Sequence, residues 1–114
     1  MAVSQGKIGD VLRDQDKLDE ALRAYSDVLA IFERLAAVDQ SIGWQRNLAV
    51  TFGNLAGVHR RLGKINEASI ELRKGREITA RLVAVSPNNA QWKKLLAQFD
   101  GEIAKVEGRE AGKN

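Results

Sequence analysis

Residues 63–72 read GKINEASIEL and residues 16–25 read DKLDEALRAY; the two stretches are copies of one pattern, and their spacing decides the fold. With Ala21 placed over Ala68, Lys17 falls on Lys64 and Glu20 on Glu67. Outward from that register, Ala2, Val3, Gly6, Val11 and Arg13 meet Ala49, Val50, Gly53, Val58 and Arg60. On the other side Ile31, Arg34, Leu35, Ala37 and Val38 meet Ile78, Arg81, Leu82, Ala84 and Val85. Roughly a third of the aligned positions are identical at a period of about 47 residues, near the periods of helical repeats. The chain is an internal duplication, so its core is expected to be a stack of layers in an elongated molecule.

Each copy reads as two helices. Leu18, Ala21, Leu22, Tyr25, Val28, Leu29, Phe32, Leu35 and Ala36 recur at three- and four-residue steps, which buries one face of a helix. Asp16 is its expected N-cap, with Asp19 and Glu20 in the positive first turn. The helix before it, about 3–13, has a looser stripe of Val3, Ile8, Val11 and Leu12. Gly6 and Gly9 interrupt it, each costing about 1 kcal/mol relative to Ala. In the second copy, Trp44, Leu48, Phe52, Leu55 and Ala56 lie on one side of a helix over about 44–62, capped by Asp39 or Ser41 and stopped by Gly63. The next helix, from about 65, carries Ile65, Ala68, Leu72, Ile78, Leu82 and Val85. Gly75 replaces Val28 in it, which either leaves room for a close neighbour or weakens the middle of the helix.

Ser86 and Pro87 end that helix, and Asn88 or Asn89 can cap a fifth over about 90–107 with Trp92, Leu95, Leu96, Phe99, Ile103 and Val106 apolar. Trp92 over Trp44 marks the start of a third unit shifted by one residue. Its lone helix is expected to cap the stack, and residues 108–114 to be disordered. The run 44–48 has no equivalent before Ala2, so the chain is expected to begin partway through a unit and to be a piece of a longer repeat protein. The units are 2–40 and 44–86, within a domain spanning 1–107.

Composition bounds the function. Of 114 residues 44% are hydrophobic and 29% charged, with one Pro and no Cys, which removes disulfides and thiol-ligated metals. No apolar run approaches the roughly 20 residues of a membrane span, and no secretion signal opens the chain, so a cytoplasmic setting away from membranes is expected. The net charge of +3 is uneven: up to Gly57 there are six Lys and Arg against eight acids, and beyond it twelve against seven. Either the solvated faces happen to differ in sign, or the asymmetry serves head-to-tail self-association or an acidic partner.

No constellation for chemistry emerges. His59 is the single histidine, with no acid at ligand spacing, so it reads as a surface or groove residue and no metal is expected. No Ser or Thr sits in a nucleophile elbow and no glycine-rich phosphate loop is present, so neither an enzyme nor a cofactor is expected. Arg60, Arg61, Lys64, Arg73, Lys74, Arg76 and Arg81 form a basic run that a nucleic acid would reward. Glu67, Glu71 and Glu77 are interleaved with it, and Glu67 or Glu71 with Arg73 or Lys74 reads as pairing on a helix surface. No aromatic pattern accompanies the run, so nucleic acid is disfavoured. Trp44 and Trp92 read as packing between units.

The stretches NLAVTFGNLAGVHRRLGKINEA and KIGDVLRDQDKLDEALRAYSDVL resemble the tetratricopeptide repeat. Ile8 with Gly9, and Leu55 with Ala56, match the family's Leu-Gly pair. Ala21 and Ala68 match its small residue at the helix crossing, and Tyr25 and Leu72 its aromatic position. Val28 and Gly75 depart from a usual Ala, and the closing Pro is missing from the first unit. The helix length resembles the extended 42–47-residue variant of kinesin light chains and bacterial signalling proteins. The resemblance implies an all-α fold: a right-handed superhelix of two helix-turn-helix repeats plus a C-terminal capping helix.

It also implies protein–protein interaction, with a concave wall formed by the first helix of each pair. That wall places Asp10, Arg13 and Asp14, then Asn54, Gly57, Arg60 and Arg61, then Lys105, against a peptide or partner protein. Gly6, Gly53, Gly101, Glu102 and Arg109 line the same wall. Its recurring glycines serve either close helix approach or a shallow groove for a peptide backbone. Chaperone-binding members hold a peptide carboxylate with two Lys, two Asn and an Arg. Only Asn54 fits that set, with Gly6, Asp10, Gln98 and Glu102 in the other places, so this clamp is not expected. A homo-oligomer, in which the acidic first unit meets the basic last one, is the alternative.

Overall fold

Duplicated turns set the topology. Asp16 adopts φ 61° and Gly63 φ 80°, one period apart, and each is the left-handed residue just past a helix end. At the first turn the Lys17 amide donates to the Leu12 carbonyl (2.8 Å) and the Asp16 amide to Arg13 (3.0 Å). At the second, Lys64 donates to His59 (2.8 Å) and Gly63 to Arg60 (3.1 Å). Both are the same paired C-terminal closure, and each reverses the chain within three residues. Asp16 therefore closes the first helix instead of capping the second. The second helix starts from Lys17, whose carbonyl accepts from the Ala21 amide (2.9 Å).

The computed structural model describes residues 2–38 and 42–111, with side chains for 7–38 and 43–108. These form α1 (Ala2–Asp14), α2 (Leu18–Val38), α3 (Ile42–Arg61), α4 (Ile65–Val85) and α5 (Ala90–Ala111), with no strand among the described residues. The chain is all-α. The expected caps Asp39 and Ser41 lie outside the described residues. Asn89 caps α5, its Oδ1 accepting from the Trp92 amide (3.0 Å). Where disorder was expected from residue 108, α5 continues through Gly108 to Ala111; residues 112–114 lie outside the described residues.

The principal contacts join consecutive helices, α1 to α2, α2 to α3, α3 to α4 and α4 to α5, in a slab of 40 × 31 × 21 Å. Ala21 and Ala68, with no exposed surface, let the paired helices approach. Tyr25, Leu55 and Val58 join Ala21 in one apolar cluster. A second runs through Val28, Phe32, Leu48, Phe52, Leu72, Ile78, Leu82, Trp92, Phe99 and Val106. Trp44 lies against Phe32, their ring centroids 5.7 Å apart. The helix α3 is buried beyond its expected stripe, at Ala49, Thr51 and Val58 as well, because it has helices on both sides. The Thr51 and Thr79 hydroxyls are satisfied by the carbonyls of Asn47 and Gly75, each at 2.8 Å.

Two stripes differ from the sequence expectation. Ile8 and Val11 of α1 are 53% and 54% exposed, and the helix instead faces α2 with Gly9 and the partly buried Leu12. The cause is Tyr25. A Cβ at residue 9 would stand 2.8 Å from its ring, so α1 is rolled to press a glycine onto it. Val85, expected in the α4 stripe, is also exposed, since the helix ends at that residue. Gly75 does leave room for a neighbour: the Phe99 ring occupies the place of its missing side chain, with the Ala49 carbonyl 3.2 Å from the same point.

Candidate functional site

The helix α3 presents Gly53, Asn54, Gly57 and Arg60 at three- and four-residue steps, so they share one face. Opposite them α5 presents Leu95, Gln98, Phe99 and Glu102. Between the two helices is a groove of about 410 Å³ with Val50, Ala56 and Leu72 in its apolar lining. Arg60 Nη1 lies 2.8 Å from Glu102 Oε2, joining the groove's two walls. Lys105 Nζ is 3.7 Å from the other Glu102 oxygen. A smaller hollow of about 200 Å³, lined by Arg60, Ile65, Lys105 and Val106, adjoins it through Arg60. A Cβ at Gly57 would meet nothing within 4 Å.

The structure thus brings together Asn54, Gly57, Arg60 and Lys105 of the residues expected on the concave wall. Asp10, Arg13 and Asp14 form a separate group on α1. There Asp10 accepts a hydrogen bond from the Tyr25 hydroxyl, and Arg13 lies 3.8 Å from Asp10 and 3.6 Å from Asp14. Burial, and then the Asp10 carboxylate, push the Tyr25 phenol well above its usual range. Arg61 is used inside the fold. Its guanidinium donates to the Arg13 carbonyl (3.1 Å) and to the Asp16 carboxylate, tying α3 to the first turn. The side chains of Gly6 and Arg109 lie outside the described residues.

Leu72, Leu95 and Phe99 are the groove residues that sequence reasoning assigned to packing alone. Their apolar spacing cannot say which edge of a core residue faces a cleft. The period holds the missing signal: Tyr25 becomes Leu72 and Asp10 becomes Gly57, so the second unit loses a ring and a carboxylate where the groove lies.

Electrostatics outside the groove are mostly internal. Arg73 pairs with Glu107 and Arg76 with Asp100, both joining α4 to α5. Lys74 Nζ lies 5.7 Å from the centroid of the Phe52 ring. Glu71 keeps a charge interaction with Lys74 along α4 and adds a cross-helix contact, His59 Nδ1 lying 2.6 Å from Glu71 Oε1. That side-chain pair is only 13% and 16% exposed, and burial raises the Glu71 pKa while the hydrogen bond from His59 opposes the rise. Among the described residues no group of three or more His, Cys, Asp or Glu side chains could hold a metal ion, and no helix is long and apolar enough to cross a membrane.

Residues 1–39 match the family model described as the tetratricopeptide repeat. No curated protein matches the chain.

Proposed function

The chain is a tetratricopeptide-repeat protein, and from that premise we propose that it binds an extended segment of a partner protein in the α3–α5 groove. Such repeats generally mediate protein–protein interaction. One observation carries the choice of place: Asn54, Gly57, Arg60 and Glu102 converge on an open groove with apolar residues beneath them. The side-chain amides of Asn54 and Gln98 suit main-chain partners, Gly57 lets a backbone approach, and Arg60 and Glu102 offer one charge of each sign. The acidic group on α1 extends the same wall, and a cytoplasmic setting belongs to this reading.

The test is selection of displayed random peptides on the whole chain. Enriched peptides should lose at least tenfold in affinity on Asn54→Ala and on Gly57→Trp, and keep it on Ile70→Ala, an exposed apolar residue of α4 outside the groove. Binding that ignores the first two variants would remove the groove from the account.

A second reading, self-association, is favoured by the exposed Ile8 and Val11 together with the uneven charge. In it the acidic first unit of one copy meets the basic second unit of another. Light scattering across protein concentration should then show a mass above 12.6 kDa that moderate salt returns to the monomer. A constant 12.6 kDa would end it.

A further inference from the structure

Resting on the groove reading above, we propose that the occupant is a tyrosine side chain of the partner segment, whose phenol serves the second unit as that of Tyr25 serves the first. The two units provide the reference. In the first, the Tyr25 ring lies on Gly9 without exposed surface and its hydroxyl donates to Asp10, beside Arg13. One period on, Leu72 stands for Tyr25, Ala56 for Gly9 and Gly57 for Asp10, and all three line the groove. Leucine stops short of the space a phenol would fill, and glycine removes the carboxylate.

The polar partner of the phenol is nonetheless rebuilt. Arg60 occupies the place of Arg13, and a carboxylate returns from a different helix as Glu102, 2.8 Å from Arg60. The Glu102 side chain is 42% exposed, and each carboxylate oxygen has lone pairs to spare beyond the contacts to Arg60 and Lys105. The arginine–carboxylate pair that accepts a phenol in the first unit is therefore present in the second, and the phenol is missing. A tyrosine entering over Gly57 stands its ring between Leu72 and Leu95, further from α3 than Tyr25 lies from α1 because Ala56 carries the Cβ that Gly9 lacks, and donates its hydroxyl to Glu102, a charge-assisted bond that phenylalanine cannot make. The groove's remaining volume, near Asn54 and Gln98, takes the backbone that carries the ring.

The experiment titrates the isotope-labelled full chain with N-acetyl-tyrosinamide, N-acetyl-phenylalaninamide and N-acetyl-leucinamide, following backbone amide resonances. Shifts are expected at Gly53, Asn54, Gly57 and Glu102. The tyrosine probe should bind about threefold to tenfold tighter than the phenylalanine probe, the factor of one hydrogen bond. Glu102→Gln should narrow that ratio towards one. The double variant Ala56→Gly with Leu72→Tyr, which copies the first unit's arrangement, should fold and lose probe binding at least tenfold. If it does not fold, Glu102→Gln still decides the matter. Equal affinity for the three probes, shifts away from the groove, or no shifts at all would overturn the proposal. Selected peptides that need Asn54 and Gly57 but contain no tyrosine would overturn it while the groove reading stands. Peptides indifferent to those two residues would overturn both.

Discussion

Gly75 and Gly57 belong to helices of the same unit and invite opposite outcomes from the same substitution. A methyl at Gly75 would enter the Phe99 ring and come within 3.2 Å of the Ala49 carbonyl, and a buried ring has little freedom to retreat. Gly75→Ala should therefore destabilise by about 1–3 kcal/mol, overcoming the roughly 1 kcal/mol that alanine gains in helix propensity. Gly57→Ala meets open space and should stabilise by about 0.5–1 kcal/mol. Urea denaturation of both variants checks the two signs.

Asp16 and Gly63 make a second pair at this scale. Asp16→Ala should cost about 1 kcal/mol, since alanine keeps a Cβ in the left-handed region and cannot pair with Arg61, whereas Asp16→Gly should lie closer to the parent. The glycines were legible in the sequence, and so was the choice they posed at Gly75. Their partners were not: Tyr25 and Phe99 come from other helices, and a period relates equivalent positions without saying which residues touch.

At the level of elements, the seam between α3 and α4 differs from that between α1 and α2 at one further place besides Tyr25 and its neighbours. Leu12 and Ala24 of the first unit become His59 and Glu71 of the second, an apolar pair exchanged for a titratable one. Burial raises the Glu71 pKa above its ordinary value of 4.5, so the folded state holds that proton more tightly than the unfolded chain does. The contribution of Glu71 is then fully present below pH 4.5 and is lost as pH rises through the raised folded value. Relative to Glu71→Gln, the parent should gain stability on going from pH 7 to pH 4.5. Denaturation curves of the two proteins at both pH values check the sign. Helical spacing predicted the Glu71 interaction with Lys74 within α4, which is present, but not its burial against His59, because spacing reports neighbours along a helix and is blind to the helix beside it. The same blindness set Ile8 and Val11 in the buried stripe of α1, where the Tyr25 ring on Gly9 turns them outward.

Across the whole molecule the layers depend on their neighbours. The ring of Phe99 lies between Gly53 of α3 and Gly75 of α4, so it joins the last helix to both members of the second unit. Phe99→Ala should cost about 3–5 kcal/mol and lower the thermal midpoint of the whole chain, measured by calorimetry. Breaking the exposed Arg76–Asp100 pair with Asp100→Asn should cost less than about 1 kcal/mol. The helical fold and its duplication were readable from residues 16–25 and 63–72, since apolar period and turn chemistry are local. Of the groove, Asn54, Gly57, Arg60 and Lys105 were readable as a face. Its depth was not, because the lining contributed by Leu72, Leu95 and Phe99 comes from other helices.

Helices that touch chiefly the next helix in order behave mechanically like leaves of a short spring. The Phe99 ring and the reach of Arg60 to Glu102 span from α5 to α3, with α4 as the leaf between them. Tension along the stack would open that span before it tore any leaf free. A partner held between α3 and α5 would then be released by a pull on the chain's ends, and one that filled the gap would stiffen the spring.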